Sequence, residues 1–492
     1  MNKYMIGIAM AVSGSIAAPA TALPGKATAA RVKALADAAD RNDCNGVIRV
    51  GQSLLRDRTA DLPNQARSQL FDVVVSCEAE AGKENDAYRD AVTATALEDS
   101  SDYVWRVRLA GELTGKRYPA AMTTIEAMTN GRGAALGSVP VRWFWQLHRS
   151  LEDQANGALD MQLLKILTSS YQPNEPFAEI DAFRLIYARK LKTAGDMAEA
   201  RAQTNAVTMF SGLVNIGLDP DLRPLRGSPI NLEKAAEQQL EDDRALLGQH
   251  PDSLQGVNSV AEDLNRLGKY QDALATLETA RAAIAKSDGF QDAGEQASWW
   301  WDSLAKTYIL MGDYPHMVEA YRGGIKAGED GGPNVSQLLN LGEDQIRFGH
   351  YTDALTTVTP QGTPPQRSPY GDMTFHFVHG CAAFKANQAG LAAQDIEYVR
   401  AHEKDGAGPA TDLMLCIGDY ESAAQILVRW LDNVDNRIGA LRMLADYRPN
   451  SPGVPDLPGY EQLSRIKARP DVKAAAEKAG GLPKFPFKRG GL

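Results

Sequence analysis

Three windows in the second half of the chain share one pattern, in which a helix-forming stretch ends at a glycine and an aromatic residue opens a second helix-forming stretch. The three turns are Leu267-Gly268-Lys269-Tyr270, Met311-Gly312-Asp313-Tyr314 and Phe348-Gly349-His350-Tyr351. Glycine ends a helix readily because it adopts the left-handed backbone conformation without a side-chain clash. Ala273, Met317 and Ala354 follow three positions after the three aromatics. The pattern therefore predicts a helical hairpin that is repeated along the chain.

These hairpins resemble tetratricopeptide repeats (TPR), in which a helix-turn-helix unit of about 34 residues carries the pattern W-x2-L-G-x2-Y, then A-x3-F, then P. The clearest copy contains Trp301, Leu304, Ala305 and Tyr308 on its first helix, followed by Gly312, Tyr314, Met317 and Tyr321. A second copy runs from Leu338 to Ala354, and a fainter third runs from Ala261 to Leu277. The resemblance, to an exported bacterial TPR protein, implies an all-α fold, a right-handed superhelical solenoid of TPR-like hairpins. No alternating strand pattern of useful length competes with it.

The first 22 residues have the features of a secretory signal peptide. Lys3 is their only charged residue, Met5 to Val12 form an apolar stretch, and Ala20-Thr21-Ala22 places small residues where a signal peptidase reads them. A transmembrane anchor is the competing interpretation, but the apolar stretch is short and Pro19 interrupts the segment. The sequence therefore predicts a mature chain that starts near Leu23 and is periplasmic or secreted, without stable membrane insertion.

The four cysteines form two pairs, Cys44 with Cys77 and Cys381 with Cys416, each separated by about one repeat length. A repeat period brings equivalent positions of neighbouring hairpins side by side, so each pair is within reach of a disulfide. Three connectivities are open in principle, and four unpaired buried thiols are the alternative. Two disulfides would agree with an oxidising compartment.

The charge of the chain limits the kinds of partner it is expected to bind. A formal net charge of -10 over 492 residues argues against nonspecific nucleic-acid binding, which needs a basic face to displace counterions. Residues 461 to 492 are the exception, with eight Lys or Arg against three acids. This basic segment is either a solvated tail or a segment that docks on the acidic remainder of the chain.

Proline-rich breaks suggest how the chain is divided. Residues 359 to 372 cannot continue a helix, and Pro449, Pro452, Pro455 and Pro458 recur every third residue, as on one edge of a polyproline II helix. That edge is either a stiff strap along its own protein or a ligand for a proline-reading domain. A third break at residues 218 to 226 places a soft boundary near residue 228. The predicted segments are the signal peptide at 1–22, degenerate TPR-like repeats at 23–228, clear TPR repeats at 229–358, a Pro-rich loop at 359–372, further hairpins at 373–447, and a Pro-rich strap with a basic C-terminal helix or tail at 448–492.

The search for catalytic, metal and cofactor sites yields no assignment. His376 and His379 lie on one face of a helix ahead of Cys381, which is a possible zinc arrangement, but the apolar residues around them favour a packed helix. Gly131, Gly133 and Gly137 follow no predicted strand, so a flexible interhelix loop is expected instead of a phosphate loop. No residue is assigned a catalytic role, no metal or cofactor is expected, and the sequence favours a protein that is not an enzyme.

A run of three tryptophans points to a binding surface. Trp299, Trp300 and Trp301 cover about 200° of a helix, so one buried stripe cannot hold all three, and Trp301 fits the core position of the repeat. In TPR proteins the groove is lined by first-helix residues that flank the core stripe. The resemblance implies the following groove residues here: Asn258, Glu262, Asn265, Arg266, Trp299, Asp302, Lys306, Leu339, Glu343 and Arg347. Mixed charge around an aromatic anchor suits an extended polar peptide, although Trp299 covering the next helix is an equal alternative.

Two functions of different class follow from these observations. The first is a noncatalytic periplasmic TPR scaffold that binds a protein or peptide of the cell envelope through its concave surface. The second is a cell-envelope enzyme, or a subunit of one, whose helical superhelix holds a glycan or peptidoglycan substrate. Clustered carboxyl groups with shifted pKa values would favour the second. The oligomeric state is left open.

Overall fold

A computed structural model describes residues 26–57, 62–284, 286, 289–328, 334–359, 367–434 and 436–491. The predicted signal peptide and residues 360–366 of the predicted Pro-rich loop lie outside the described residues. The chain divides into two compact units, Met1–Lys190 and Leu191–Leu492. The predicted segment boundaries, including the one near residue 228, stay predictions.

The first unit consists of helices that pack against their sequence neighbours, α1 on α2, α2 on α3, and so on through α6. Its helices are α1 (Lys26–Asp40), α2 (Cys44–Arg56), α3 (Asn64–Glu80), α4 (Glu84–Ala94), α5 (Asp102–Thr114), α6 (Tyr118–Thr129), α7 (Gly133–Gly137), α8 (Val141–Asp153) and α9 (Gly157–Ser169). Helix α10 (Asp181–Ala194) begins in this unit. The expected loop at Gly133–Gly137 is therefore wrong in part, since this segment forms the short helix α7 packed on α5 and α6.

The second unit contains the clear repeats. Its helices are α11 (Met197–Ala206), α12 (Phe210–Leu218), α13 (Leu232–Gln249), α14 (Leu254–Arg266), α15 (Tyr270–Ile284), α16 (Ala293–Met311), α17 (Tyr314–Ala327), α18 (Val335–Arg347), α19 (Tyr351–Val358), α20 (Pro369–Lys385), α21 (Ala389–Ala401), α22 (Ala407–Ile417), α23 (Tyr420–Asp432), α24 (Arg437–Leu444), α25 (Leu463–Ala468) and α26 (Pro470–Lys478). The pairs α14/α15, α16/α17, α18/α19, α20/α21 and α22/α23 are hairpins. The predicted all-α fold of TPR-like hairpins is confirmed.

The predicted turn residues shape the hairpins as expected. Gly312 has a φ of 76°, in the left-handed region, and ends α16. The amide of Asp313 then donates to the carbonyl of Tyr308 at 2.9 Å, which closes the last turn of the helix. The carboxylate of Asp313 accepts a hydrogen bond from the amide of His316 and so caps α17. Gly268 and Gly349 have φ values of 75° and 80° at the equivalent turns.

The tryptophan run packs differently from the expectation that placed Trp301 in the core. Trp300 is the buried residue, 1% exposed, and its indole N–H donates to the carbonyl of Leu277 at 3.0 Å. Trp301 is only partly buried and lies against Gly323 and Gly324 of α17. A Cβ at Gly323 would approach the Trp301 ring to 2.6 Å, so the small residues of α17 determine where this indole fits.

Both predicted cysteine pairs lie at disulfide distance. Cys44 and Cys77 join α2 to α3 with 4.9 Å between their Cα atoms. Cys381 and Cys416 join α20 to α22 with 5.8 Å between their Cα atoms. Both distances fall within the range that a disulfide requires. Each bridge therefore connects one hairpin to the next.

The basic C-terminal segment packs on its own unit. Strand β1 (Asp446–Arg448) pairs in parallel with β2 (Lys484–Lys488), so the sequence missed a two-stranded sheet. Val472 and Phe487 are buried in the core that also holds α20 to α24. The basic side chains of this segment form ion pairs with the repeats, such as Arg469 with Glu421 and Lys478 with Asp432. These contacts favour the docked interpretation of the segment over the solvated tail.

No helix in the described part of the chain is both long enough and apolar enough to cross a bilayer.

Candidate functional site

The candidate site is the first-helix surface, which we define as the outward-facing residues of α14, α16, α18 and α20 in the second unit. These are the first helices of four consecutive hairpins, and α16 packs on α14, α18 on α16, and α20 on α18. The second helix of each hairpin turns back along its first helix. One row of first helices thus shares a surface, as the repeat pattern predicted.

The ten predicted groove residues differ widely in exposure. Glu262, Trp299 and Lys306 are exposed, and Arg266, Glu343 and Arg347 are partly buried. Asn258, Asn265, Asp302 and Leu339 are buried among the helices. Burial gives these four a packing role, and the assignment of all ten to a binding surface stays a prediction.

Three acid–base pairs repeat along the surface, one on each of the first three helices. Glu262 pairs with Arg266 at 2.9 Å, Asp302 with Lys306 at 2.7 Å, and Glu343 with Arg347 at 3.5 Å. Each pair is spaced by four residues, which places both side chains on one helical face. Desolvation of the Lys306 ammonium group would lower its pKa, but the charge and hydrogen bond of Asp302 outweigh it, and the fields of Glu262 and Asp344 on the neighbouring helices raise the pKa further.

Hydrogen bonds between neighbouring first helices hold the buried polar residues of this surface in place. The amide of Asn265 on α14 donates to the hydroxyl of Thr307 on α16 at 2.8 Å. The amide of Asn340 on α18 donates to Asp302 on α16 at 3.0 Å. Asp302 is thereby held between Asn340 and Lys306, so its carboxylate supports the exposed ammonium group. Bonds of this kind hold the surface in one arrangement before any partner arrives.

Two carboxyl groups with raised pKa values are Glu343 on α18 and Asp412 on α22. Burial raises the pKa of Glu343 to about 7, the nearby Asp344 and Asp412 add to the shift, and Arg347 opposes it. The Glu343 side chain is 32% exposed, yet protein surrounds its carboxyl group closely enough for desolvation to dominate. Burial also raises the pKa of Asp412 to about 6. The sequence predicted Glu343 as a groove residue but did not single out Asp412.

Three tyrosines interact with the carboxyl groups of this region. The Tyr460 hydroxyl donates to Asp412 at 2.8 Å, and the Tyr321 hydroxyl donates to Asp344 at 2.9 Å. Tyr370, at the start of α20, is 61% exposed. Although this side chain is largely exposed, desolvation of its hydroxyl raises the Tyr370 pKa, and the fields of Glu343 and Asp412 raise it further. The sequence missed Tyr370 because it lies within residues 359 to 372, which were predicted as a loop, whereas α20 begins at Pro369.

Trp299 on α16 is another exposed aromatic side chain of this surface, as is Phe384 near the end of α20. Its side chain is 48% exposed, while its neighbour Trp300 is 1% exposed. The alternative in which Trp299 covers the next helix would bury most of the indole. An exposed indole is a frequent anchor of protein interfaces, because it buries a large area at small entropic cost.

The two histidines weighed as zinc ligands hold a carboxylate instead. His376 and His379 each place Nδ1 2.7 Å from one oxygen of Asp395. Burial would raise the pKa of Asp395, but the hydrogen bonds to the two histidines outweigh it and the pKa is lowered. His376 also stacks on Tyr398 at 3.8 Å between ring centroids. The arrangement agrees with the packed-helix interpretation.

A cluster of one histidine and two acidic residues occurs among the described residues of the first unit. His148, Glu152 and Asp160 bring three potential ligand atoms within 4.8 Å of one another. The Lys190 ammonium group lies 2.9 Å from Asp160 and 3.1 Å from Glu152. A cation is therefore already present in the cluster, which accounts for the paired carboxylates without a metal.

Comparisons with known proteins identify no family for this chain. No family model matches the chain, and no curated protein matches it either. Among solved structures, the chain is similar to one described as the crystal structure of the APC/C hetero-tetramer Cut9-Hcn1. That similarity has 11% sequence identity and a TM-score of 0.29, and it covers 92% of this chain and 96% of the other. A superposition at this level supports no statement about function.

Proposed function

We propose that the protein is a noncatalytic periplasmic TPR scaffold that binds a protein or peptide of the cell envelope through the first-helix surface. Trp299 carries the proposal, because this large indole is 48% exposed on the first-helix surface. Glu262 and Lys306 provide charges on the same surface, and Tyr370 provides a second exposed ring. Aromatic anchors among charged residues suit an extended polar peptide.

The periplasmic location rests on the sequence and on the cysteines. The signal-like first 22 residues predict export, and both cysteine pairs lie at disulfide distance. Structural disulfides persist in oxidising compartments and are rare in the reducing cytosol. Disulfides between neighbouring hairpins therefore support an exported protein.

Capture of a partner from an envelope extract tests the proposal. The mature chain, immobilised, is expected to retain a discrete protein, and Trp299→Ala is expected to reduce its recovery at least about tenfold, as for an interface anchor worth about 1.4 kcal/mol or more. Tyr420→Ala is the matched control, because Tyr420 is a 37% exposed aromatic on α23, outside the first-helix surface. Equal loss in both variants, or none in either, would remove Trp299 from the binding site.

The raised carboxyl pKa values favour a second candidate, a cell-envelope enzyme or enzyme subunit that holds a glycan or peptidoglycan substrate. Glu343 and Asp412, with pKa values of about 7 and 6, interact with each other and with Tyr370. A carboxyl group with a pKa of about 7, such as Glu343, is partly protonated at neutral pH and is suited to general acid catalysis. Release of soluble fragments from purified peptidoglycan would support this candidate if Glu343→Gln abolished it and Glu262→Gln did not.

A further inference from the structure

A half-enclosed cavity of about 320 Å³ lies in the first unit between α4, α5 and α8. Regular hairpins would bring consecutive first helices together at this position. Here the short helix α7 packs on α5 and α6, and the next hairpin reaches α6 through α9. The insertion of α7 thus interrupts the regular stacking of helices and leaves space between α5 and α8. The volume is that of a small-molecule site.

The cavity has an apolar floor and aromatic walls. Val107 and Leu113 of α5 and Ala87 of α4 are buried and form the floor. Tyr88 and Trp143 line the sides. The ring of Tyr88 lies directly on Gly111, where any Cβ would approach the ring to 2.5 Å. Gly111 therefore fixes the position of this wall, and the two aromatic side chains give the cavity an apolar lining suited to a planar apolar group.

A guanidinium group lies at the rim of the cavity. Arg117 is exposed, and its guanidinium carbon lies 4.4 Å from the centre of the Tyr88 ring. Within the described part of the chain it forms no ion pair. The contact with Tyr88 holds this guanidinium group at the lining of the cavity. A carboxylate is the natural acceptor for its N–H donors.

We propose that this cavity binds a free aromatic carboxylic acid, with the ring between Tyr88 and Trp143 and the carboxylate on Arg117. The apolar floor accounts for the body of the ligand and Arg117 for its charge. The site is independent of the first-helix surface and does not rest on the scaffold function. A peptide side chain of the same chemistry is the alternative that the experiment must separate.

Isothermal titration of the mature chain tests this assignment with 3-phenylpropionate and its neutral amide. The acid is expected to bind about tenfold more tightly than the amide, as a charge-assisted hydrogen bond would give. Arg117→Gln should remove this preference and leave the affinity for the amide unchanged. Ala110→Phe should abolish binding of both, because Ala110 lines the cavity. Arg322→Gln, an exposed arginine of α17, is the control and should bind like the wild type.

Several results would overturn the assignment. These are equal binding of acid and amide, retention of binding in Ala110→Phe, or failure of the wild type to bind the acid. Tighter binding of a blocked peptide with one phenylalanine between two glutamates would show a peptide site instead. Arg117 is exposed, so Arg117→Gln decides the question even if Ala110→Phe does not fold. Partner capture through Trp299 would be unaffected by any of these results.

Discussion

The phenol of Tyr460 donates a hydrogen bond of 2.8 Å to the carboxylate of Asp412, and so ties the C-terminal segment to α22. The guanidinium of Arg489 lies 5.0 Å from the centre of the same phenol ring and donates to the carbonyl of Met443 at 3.0 Å. Gly459, just before Tyr460, lies so close to the carbonyl of Leu415 that a Cβ would approach it to 2.2 Å. The C-terminal segment is therefore part of the second unit and closes its last hairpin.

Replacement of Tyr460 by phenylalanine is expected to lower the free energy of unfolding by about 2 kcal/mol, the usual value for a hydrogen bond to a charged group. The variant should be measured by urea denaturation at pH 8, where Asp412, with a pKa of about 6, is ionised. Tyr420→Phe is the control, because Tyr420 is 37% exposed. An unchanged denaturation midpoint in Tyr460→Phe would mean that the C-terminal segment is not held through Asp412.

Glu343 should make the stability of the second unit depend on pH. Its pKa is raised from the ordinary 4.5 to about 7, so the folded chain binds a proton that the unfolded chain releases. This contribution is fully present below about pH 4.5 and is lost as the pH rises through 7. Glu343→Gln should therefore be more stable than the wild type at pH 8, by about 1 kcal/mol once partial exposure is discounted, and similar to it at pH 5.

Thermal melts at pH 5 and pH 8 measure this difference. Glu461→Gln serves as the control, since Glu461 is exposed. A Glu343→Gln variant that loses as much stability as the wild type between the two pH values would show that Glu343 is solvated like an ordinary surface carboxylate.

The two disulfides should be present in the exported protein. Mass spectrometry of nonreduced digests is expected to find Cys44 joined to Cys77 and Cys381 joined to Cys416, as their Cα distances of 4.9 and 5.8 Å allow. The double variant Cys381→Ala, Cys416→Ala should lose about 3 kcal/mol of stability. Alkylation of all four cysteines without a reductant would contradict the prediction.

Local patterns predicted the parts of the fold that depend on local sequence. Gly268, Gly312 and Gly349 ended helices as expected, because a left-handed turn residue acts within a few positions of itself. The cysteine pairs also followed from the repeat period. Which of two adjacent tryptophans enters the core could not be read, because it depends on Gly323 and Gly324 in the next helix.

The features that the sequence did not predict depend on contacts between residues that lie far apart along the chain. Asp412 and Tyr460 meet only after α22 and the C-terminal segment have packed, so neither residue carries a signal in its own neighbourhood. Strands β1 and β2 are short and pair in parallel across more than one intervening helix, which gives no hairpin signal. The cavity beside Tyr88 arises from the insertion of α7, whose five residues were expected to form a loop.

The adjacent residues Trp299 and Trp300 should respond oppositely to truncation. Trp300→Ala removes a 1% exposed indole that donates to Leu277, and is expected to cost about 3 to 5 kcal/mol through the cavity it leaves. Trp299→Ala removes an indole that is 48% exposed, and should cost less than about 1 kcal/mol. Denaturation of both variants in parallel measures the two values on one helix. If Trp299→Ala proved as destabilising as Trp300→Ala, its indole would be a packing residue, and the proposed partner surface would lose its anchor.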